Sequence, residues 1–290
     1  MAAFFIYFTK ERKMNLAAKV IAVCNQKGGV GKTTTALNMG AGLVREGKNV
    51  LLVDCDPQGD LTTALGYNRP DELSGTLSSL MTKEIHDGLS QDDRISCTMT
   101  HSEGMDLIPS NIELAAMELT LFNVMSRETI LKGIIDSCRP SYDYIIIDCM
   151  PSLGILTINA MTAADSILIP VQAQPLSAKG MTQLLQTIAR VKKHTNPKLN
   201  IEGVLITLAD HRTNLSRETA QAVRQAYGSR IKIFPTDIPV AVRAAETTAK
   251  GKSIFAYDNR SPVAAAYTNL AKEIGNGQVR LDKRFEPPVR

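Results

Sequence analysis

The sequence predicts a single doubly wound α/β domain whose mostly parallel sheet is flanked by helices. Short apolar runs recur along the chain, helix-period stretches lie between them, and most of the runs are apolar at every position. Strands buried on both faces have this continuous apolar pattern, which is typical of parallel sheets covered by helices on either side. Regular alternation of strand and helix from about residue 19 to 275 favours one layered domain over two.

Each predicted element follows from its own local pattern. Strands are predicted at six apolar runs, which are 20–24, 50–54, 144–148, 166–170, 201–207 and 231–234. Helices are predicted at 33–46, 112–122, 127–138, 176–193 and 215–227. Gly47 and Gly228 directly follow two of these helices, as expected for helix ends. The polar segment 69–101 is expected to be a surface insertion with one or two short helices.

The composition indicates a soluble globular protein of the cytoplasm. Hydrophobic residues make up 44% and charged residues 21% of the chain, an ordinary globular balance. No apolar run approaches the roughly 18 residues that span a bilayer, so no membrane partner is expected. The five cysteines are odd in number and form no CxxC pair, which favours a reducing compartment over disulfides or a metal site.

The two ends of the chain are expected to lie outside the folded domain. The basic residues of the segment 1–13 follow its apolar run, whereas a secretory signal has them before it. Because the first predicted strand begins only near residue 19, residues 1–13 are predicted to be a disordered extension instead. Met14 is a candidate for the true start. The folded domain is predicted to span 14–275, and the polar segment 276–290 is predicted to be a flexible tail.

A glycine-rich segment between the first predicted strand and the first predicted helix indicates a phosphate loop and a P-loop NTPase fold. Its glycines let backbone N–H groups turn towards phosphate oxygens, and the following helix directs its N-terminus at them. Lys32 would reach the β- and γ-phosphates, while the Thr33 hydroxyl would serve Mg²⁺. The predicted nucleotide-binding residues of the loop are Lys27, Gly28, Gly29, Val30, Gly31, Lys32, Thr33 and Thr34.

Carboxylates follow two of the apolar runs. Asp54 and Asp56 come at the end of the second predicted strand, and Asp148 closes the run at 144–147. Because open α/β sheets bind ligands at the carboxyl ends of their strands, these side chains are expected near the phosphate site. Asp148 is expected to hold Mg²⁺ through water, since Mg²⁺ keeps several waters and takes few protein ligands.

The details of these motifs resemble one family. Gln26 stands where the common phosphate-loop pattern has glycine, and Lys27 is an additional early lysine. This form resembles the deviant Walker A motif of the ParA, MinD and nitrogenase iron protein group, and the D-C-D-P-Q-G sequence at 54–59 resembles its second signature. The strand that ends at Asp148 resembles the family's Walker B motif, in which a proline usually stands where this chain has Met150. Over about 19–275 the chain is similar to ParA/Soj partitioning ATPases.

The resemblance implies an ATPase that hydrolyses ATP to ADP and phosphate with ATP and Mg²⁺ as cofactors. Its catalytic residues would be Lys27, Lys32 and Asp56, with Asp56 orienting the attacking water. Lys27 would cross the interface of a homodimer formed on ATP binding and touch the partner's phosphates. The metal site would comprise Thr33, Asp148 and the more distant Asp54.

Two late loops resemble the adenine-side loops of the family. The first is the segment 208–214 and the second is 234–239, each following a late predicted strand. The resemblance implies base contacts from five residues at or near these loops. These residues are Thr207, Asp210, Pro235, Asp237 and Pro239.

The C-terminal third is predicted to face nonspecific double-stranded DNA. Residues 211–290 carry 14 basic and 7 acidic residues, against 19 and 22 in residues 1–210, and such asymmetry indicates a polyanion-facing surface. In the family, basic residues of this region contact DNA phosphates; here Val240 replaces one family arginine. The resemblance also implies that the protein has a ParB-like centromere-binding partner and is itself associated with the nucleoid. The DNA-binding candidates are Arg217, Arg224, Arg243, Lys250 and Lys252.

Other functions on the same fold stay open. A MinD-like ATPase with a membrane or protein cargo should end in an amphipathic basic helix, which the glycine and prolines of 276–290 disfavour. An iron–sulfur reductase needs cysteines that bridge two subunits, and Cys97 and Cys138 do not lie in that family's metal-site sequence. A small-molecule ligase or kinase would need a substrate pocket and no basic face, so stimulation of ATPase activity by DNA would discriminate against it.

Overall fold

The computed structural model describes residues 18–174 and 178–276. The strands are β1 (Lys19–Val23), β2 (Val50–Cys55), β3 (Met99–Thr100), β4 (Asp106–Ile108), β5 (Tyr144–Cys149), β6 (Ser166–Gln172) and β7 (Asn200–Thr207). They form one sheet in the order β3-β4-β2-β5-β1-β6-β7, in which all pairs are parallel except β3 with β4. The predicted doubly wound, mostly parallel sheet is therefore confirmed. The predicted extension 1–13 and the predicted tail, apart from Asn276, lie outside the described residues.

Helices flank this sheet on both sides. The α-helices are α1 (Lys32–Arg45), α2 (Asp60–Ala64), α3 (Leu77–His86), α4 (Gln91–Ser96), α5 (Glu113–Thr120), α6 (Ile130–Cys138), α7 (Ile155–Ala163), α8 (Ala178–His194), α9 (Asn214–Tyr227), α10 (Val242–Ala249), α11 (Ile254–Asp258) and α12 (Pro262–Gly275). Single turns of 3₁₀-helix occur at Pro70–Glu72, Leu121–Asn123, Arg127–Thr129 and Arg139–Ser141.

Successive residues of the central strands enter two separate apolar cores. Val20 and Ala22 of β1 pack into one cluster, while Ile21 and Val23 pack into the other. The first cluster is covered by residues of α3 and α5 to α9, and the second by residues of α1, α2, α11 and α12. Burial on both faces explains why the strand sequences are apolar without alternation.

One predicted strand is absent from the sheet, and two short strands of the sheet were not predicted. The run 231–234 is not a strand of the sheet, because only Ile233 forms an isolated bridge, with Val204. Pro235 follows directly and has no N–H with which to extend a ladder. The segments β3 and β4 were missed because two or three residues are too few for a recognisable period.

The segment 69–101 is more than a surface insertion. One or two short helices were expected and two are present, α3 and α4, but Leu77, Leu80 and Met81 of α3 are fully buried in the first core. Their spacing of three and four residues places them on one helix face. The polar residues between them masked this apolar face in the sequence.

All five cysteines are buried and free of disulfides. Cys24, after β1, and Cys149, at the end of β5, place their sulfur atoms 3.2 Å apart. In the described part of the chain, no helix combines the length and the apolar character that crossing a bilayer requires.

Candidate nucleotide-binding site

The segment between β1 and α1 forms a loop that exposes backbone N–H groups. Gly29 and Gly31 have φ angles of 69° and 80°, a region that glycine enters at little cost. Gly31 caps α1, and no side chain forms a cap hydrogen bond there. The first N–H groups of α1 are therefore available to an anion, which the helix dipole also favours. A Cβ at Gly28 or Gly29 would meet no atom within 4 Å, so the loop faces open space.

The two lysines of the loop have different environments. The Lys32 side chain is nearly buried, at 7% exposure, and its Nζ donates to the Lys27 carbonyl oxygen at 3.2 Å. Lys27 is exposed, and its Nζ donates to Oε1 of Gln172, at the end of β6, at 3.3 Å. Lys32 thus lies across its own loop, whereas Lys27 is directed towards the neighbouring strand end.

Asp148 has an unpaired oxygen in a buried position. Its Oδ1 has no hydrogen-bond partner among the described residues, although the Thr33 side chain hydrogen-bonds the carboxylate. Burial, and next the charge of Asp54, raise the pKa of Asp148 well above its ordinary value. A buried, unpaired carboxylate oxygen beside a threonine hydroxyl fits a divalent cation that takes few protein ligands. The donor set is therefore suited to Mg²⁺ held by Thr33 and Asp148.

Asp54 is fully buried and fixes the start of α2. Its Oδ2 accepts hydrogen bonds from the N–H and the hydroxyl of Thr62 at 2.8 and 2.7 Å, and its Oδ1 accepts from the Asp56 N–H at 3.3 Å. Burial raises the pKa of Asp54 to about 7 even though the Thr62 hydrogen bonds lower it. Both oxygens have protein partners. Sequence reasoning missed Thr62, which has no motif to mark it.

The described residues contain no group of three or more His, Cys, Asp or Glu side chains that could enclose a metal ion. A Mg²⁺ ion in nucleotide sites is commonly bound by one or two protein oxygens together with phosphates and waters. Both oxygens of Asp54 already accept hydrogen bonds from the protein, whereas one oxygen of Asp148 does not. Thr33 and Asp148 are therefore the favoured direct protein ligands of Mg²⁺. The metal role expected for Asp54 stays a prediction.

Asp56 lies directly after β2 and is mostly buried, at 8% exposure. Its Oδ1 accepts a hydrogen bond from the Gln58 N–H at 3.0 Å, which fixes the carboxylate. Burial raises the pKa of Asp56 above its ordinary value, although the nearby charge of Lys32 acts in the opposite direction. A fixed carboxylate influenced by the phosphate-loop lysine is able to orient a water molecule by accepting its hydrogen bond.

The two late loops lie together beside the phosphate loop. The Thr207 hydroxyl donates to the Val30 carbonyl oxygen at 2.7 Å and so ties the end of β7 to the phosphate loop. Ala209 pairs with Pro239 in an isolated bridge, and its N–H donates to the Ile238 carbonyl oxygen at 3.0 Å. The structure therefore brings Thr207 and Pro239 to one region; Pro235 is exposed in the second loop.

Both loop carboxylates already have cationic partners. Asp210 forms a bidentate pair with the exposed Arg212, which lowers the pKa of Asp210 to about 2. Asp237 accepts from Arg224 at 2.5 Å and lies 3.8 Å from the His211 ring nitrogen. These pairs fix the shape of the loops, and any contact of the two carboxylates with a base stays a prediction.

The DNA-binding candidates differ in how accessible they are. Arg217, Lys250 and Lys252 are exposed, whereas Arg224 is half-buried in its pair with Asp237. Arg217 also donates to the Asn214 side chain at 2.5 Å. The backbone of Arg243 lies in α10, and its side chain is outside the described side chains. Arg217 and Arg224 both lie on α9, seven residues apart as predicted, but the Arg224 side chain is held in an ion pair with Asp237.

A phosphate loop between β1 and α1, with carboxylates at the ends of β2 and β5, defines the class of P-loop nucleotide-binding proteins. The AAA_31 family model, described as an AAA domain, matches residues 18–201. This chain belongs to the ParA/Soj family of P-loop ATPases within that group.

Curated relatives match over most of their length. The chain is 47% identical over 256 residues to the sporulation initiation inhibitor protein Soj of Bacillus subtilis, covering 88% of this chain and 98% of that protein. It is 39% identical to the chromosome partitioning protein ParA of Caulobacter vibrioides, covering 88% and 93%.

A solved structure matches the same region. It is described as cobyrinic acid a,c-diamide synthase from Mycobacterium smegmatis with bound ADP and magnesium, and it superposes with a TM-score of 0.76 at 36% identity. The match covers 89% of this chain and 94% of that chain.

Proposed function

We propose that this chain is a cytoplasmic ATPase that dimerises on binding ATP, holds nonspecific duplex DNA in that state, and drives chromosome or plasmid partitioning with a ParB-like partner. The observation that supports the proposal most strongly is that the side chains of the two loop lysines have different partners. Lys32 lies across its own loop, whereas Lys27 is exposed and directed away from it. A second cation that does not serve its own loop is free to serve the phosphates of a partner subunit.

The phosphate loop is suited to bind ATP together with Mg²⁺. The free N–H groups at the start of α1 and the Lys32 ammonium would hold the phosphates. Thr33 and Asp148 would hold Mg²⁺, which when bound neutralises charge on the phosphate oxygens. Thr207, Asp210, Pro235, Asp237 and Pro239 are the proposed neighbours of the base.

Asp56 is proposed to orient the water that attacks the γ-phosphate. Phosphoryl transfer requires mainly positioning and charge stabilisation, which Lys27, Lys32 and Asp56 supply here. Lys27 would act across the dimer interface, so hydrolysis would depend on dimerisation. Release of phosphate would remove the anion that holds Lys27 and would open the dimer.

DNA is proposed to bind through phosphates on the basic C-terminal third of each subunit. Arg217, Lys250 and Lys252 are exposed there, and Arg243 is added as a proposal from the resemblance. Phosphate contacts carry no base information, so binding would be nonspecific and would weaken with salt. Dimerisation would double the number of such contacts, which couples DNA affinity to ATP.

A small-molecule ligase is the second candidate function. It is favoured by the synthase description of the M. smegmatis structure and by a cavity of about 400 Å³ beside the phosphate loop. Asn25, Gln26, Gln172 and Gln174 contribute neutral amides to the cavity lining. Such groups could orient a polar substrate next to bound ATP.

Binding of a fluorescent nonspecific duplex, measured with ATP, ADP or no nucleotide across a salt series, tests the first function. We expect ATP alone to promote tight binding, with a log–log salt slope of roughly −0.9 for each phosphate contact. Arg217→Ala and Lys252→Ala should weaken binding and reduce the slope. Lys198→Ala, which removes an exposed lysine just before β7, is the matched control and should bind like the wild type.

The same assay separates the two candidates. Absence of ATP-dependent DNA binding, together with an ATPase rate that DNA does not change, would contradict the partitioning function. ATP turnover that responds to a small carboxylate or amide donor instead would support the ligase.

A further inference from the structure

Two glycines form a direct backbone contact between the nucleotide site and the basic C-terminal region. Gly66 follows α2 and has φ of 92°, and Gly251 follows α10 and has φ of 61°. A Cβ built on Gly251 would lie 2.6 Å from Gly66 Cα and 3.0 Å from Gly66 N. Real Cβ atoms do not approach backbone so closely, so this contact between the two chain segments requires glycine at position 251.

Gly66 is joined by a short, rigid path to the carboxylates of the nucleotide site. The N–H and hydroxyl of Thr62 in α2 bind Asp54, and the same hydroxyl accepts a hydrogen bond from the Ser110 N–H at 3.0 Å. Gly66 donates its N–H to the Thr63 carbonyl oxygen at 2.9 Å. A displacement of the segment after β2 would therefore move α2 and Gly66 together.

Gly251 lies between two exposed basic residues, Lys250 and Lys252. Its carbonyl oxygen lies 3.3 Å from Nε2 of His101, a buried residue in the turn between β3 and β4. His101 Nδ1 accepts from the Glu103 N–H at 3.3 Å, so Nε2 carries the proton and donates to Gly251. These bonds hold the backbone of the basic segment in a defined position.

The residues after Lys252 are anchored as well. The N–H of Ser253 donates to the Glu103 carboxylate at 2.8 Å, and the N–H of Ile254 donates to Asn38 Oδ1 at 2.7 Å. Asn38 belongs to α1, the helix that begins at the phosphate loop. The segment 250–254 is thus attached to both helices that leave the nucleotide site, α1 directly and α2 through the glycine pair.

From these contacts we infer that the Gly66–Gly251 pair is the joint through which bound ATP positions Lys250 and Lys252 for DNA. The inference rests on the proposed function and deepens it by assigning positioning residues to its regulation. Nucleotide-dependent movement of the segment after β2 would be passed by α2 to Gly66, and by direct contact to Gly251. Both glycines lie outside the phosphate loop, and neither has a side chain with which to bind the nucleotide or DNA.

Gly251→Ala tests the joint, because the added methyl group must push the two segments apart. Gly88→Ala is the matched control: Gly88 has φ of 75°, and a Cβ there would meet nothing within 4 Å. Both variants carry the strain of alanine at positive φ, but only Gly251→Ala disturbs a contact. The readout is the ratio of DNA affinities with AMPPNP and with ADP, together with nucleotide affinity.

We expect Gly251→Ala to bind both nucleotides like the wild type but to lose about fivefold or more of the affinity ratio, the range of a typical coupling between sites. Gly88→Ala should keep the wild-type ratio. An unchanged ratio in a folded Gly251→Ala protein would overturn the inference. Loss of DNA affinity by the same factor with both nucleotides would also overturn it, because it would show a role in contact and not in coupling.

Hydrogen exchange of the wild-type protein provides a test that does not depend on DNA or on folding of the variant. AMPPNP in place of ADP should change the exchange of amides in 250–254 as well as in the phosphate loop. A response confined to the phosphate loop would overturn the inference. If 250–254 responds but DNA binding ignores ATP, the joint stands and the proposed DNA function fails.

Discussion

Asp54 and Asp148 are register partners on the adjacent parallel strands β2 and β5, and both are completely or almost completely buried. Burial and the neighbouring Asp54 charge together raise the pKa of Asp148. Two carboxylates side by side in a desolvated position cost free energy when both are ionised. Folding therefore favours protonation of the pair, whereas a divalent cation at Asp148 and Thr33 would stabilise the ionised form of Asp148.

The metal-free and nucleotide-free protein should lose stability as the pH rises from 5.5 to 7.5. The pKa of Asp54 is raised from 3.8 to about 7 in the folded state, so folding favours the protonated form. This contribution is complete below about pH 4 and is lost as the pH rises through 7. The expected loss from Asp54 is about 2 kcal/mol over this interval.

Urea denaturation in EDTA at the two pH values measures this loss. Asp54→Asn should show a markedly flatter dependence, because the amide does not titrate. Equal pH dependence in the two proteins would mean that Asp54 does not titrate between pH 5.5 and 7.5, contrary to this prediction.

Asp148→Asn should change stability and nucleotide binding in opposite directions. In the metal-free protein the substitution removes an ionisable group whose charged form is disfavoured by burial and by Asp54, and we expect stabilisation by about 1 kcal/mol or more at pH 7.5. With Mg²⁺ present, the loss of a metal ligand should lower the Mg²⁺-dependent affinity for ATP about tenfold or more. Thermal unfolding and calorimetric titration of ATP with and without Mg²⁺ check the two parts. Destabilisation under both conditions would instead indicate a structural role.

Substitution of the two loop lysines should separate nucleotide binding from dimerisation. Lys32→Ala should abolish tight binding of ATP and ADP, because Lys32 lies across the loop. Lys27→Ala should keep ADP affinity within about threefold, since its side chain contacts Gln172 and not its own loop. Sedimentation with AMPPNP should then show dimers for the wild type and monomers for Lys27→Ala. A dimeric Lys27→Ala protein would contradict a cross-subunit role.

Arg217 and Arg224 should give different phenotypes although both lie on α9. Arg224→Ala leaves Asp237 without its charged partner and should lower the free energy of unfolding by about 1 kcal/mol, a modest value because the pair is partly exposed. Arg217→Ala should leave stability unchanged and weaken DNA binding. Denaturation and duplex titration of both variants, with Asp237→Asn to complete a double-mutant cycle for Arg224, measure the difference. A coupling energy of zero would mean that the ion pair does not form in solution.

The sequence was sufficient for the features that depend on local pattern. The phosphate loop, the long buried strands and the carboxylates that end them were predicted because each has a characteristic spacing or a continuous apolar run. The fold that they indicated is the one observed. At Lys32 and Asp148 the motif coincides with a buried position, while their roles at the nucleotide stay predictions.

Features that depend on tertiary contact were not predictable. Thr62 binds Asp54 from a short helix that has no motif, and Arg224 is withdrawn from solvent by Asp237, which lies 13 residues further along the chain. Likewise, the polar appearance of 69–101 concealed the apolar face of α3. In each case the partner is brought close by packing of distant segments, and sequence spacing within one segment does not report it.

Because all five native cysteines are buried, they should contribute little labelling when a thiol-directed probe is applied. A maleimide dye or a nitroxide should react slowly with the unmodified protein under native conditions, because none of its thiols is accessible. A single Lys252→Cys substitution would then introduce one reactive position beside Gly251, and a second at an exposed reference site such as Lys198 would give a donor–acceptor pair. Distances across the subunit could thus be followed in real time through a cycle of ATP turnover without first removing any native cysteine.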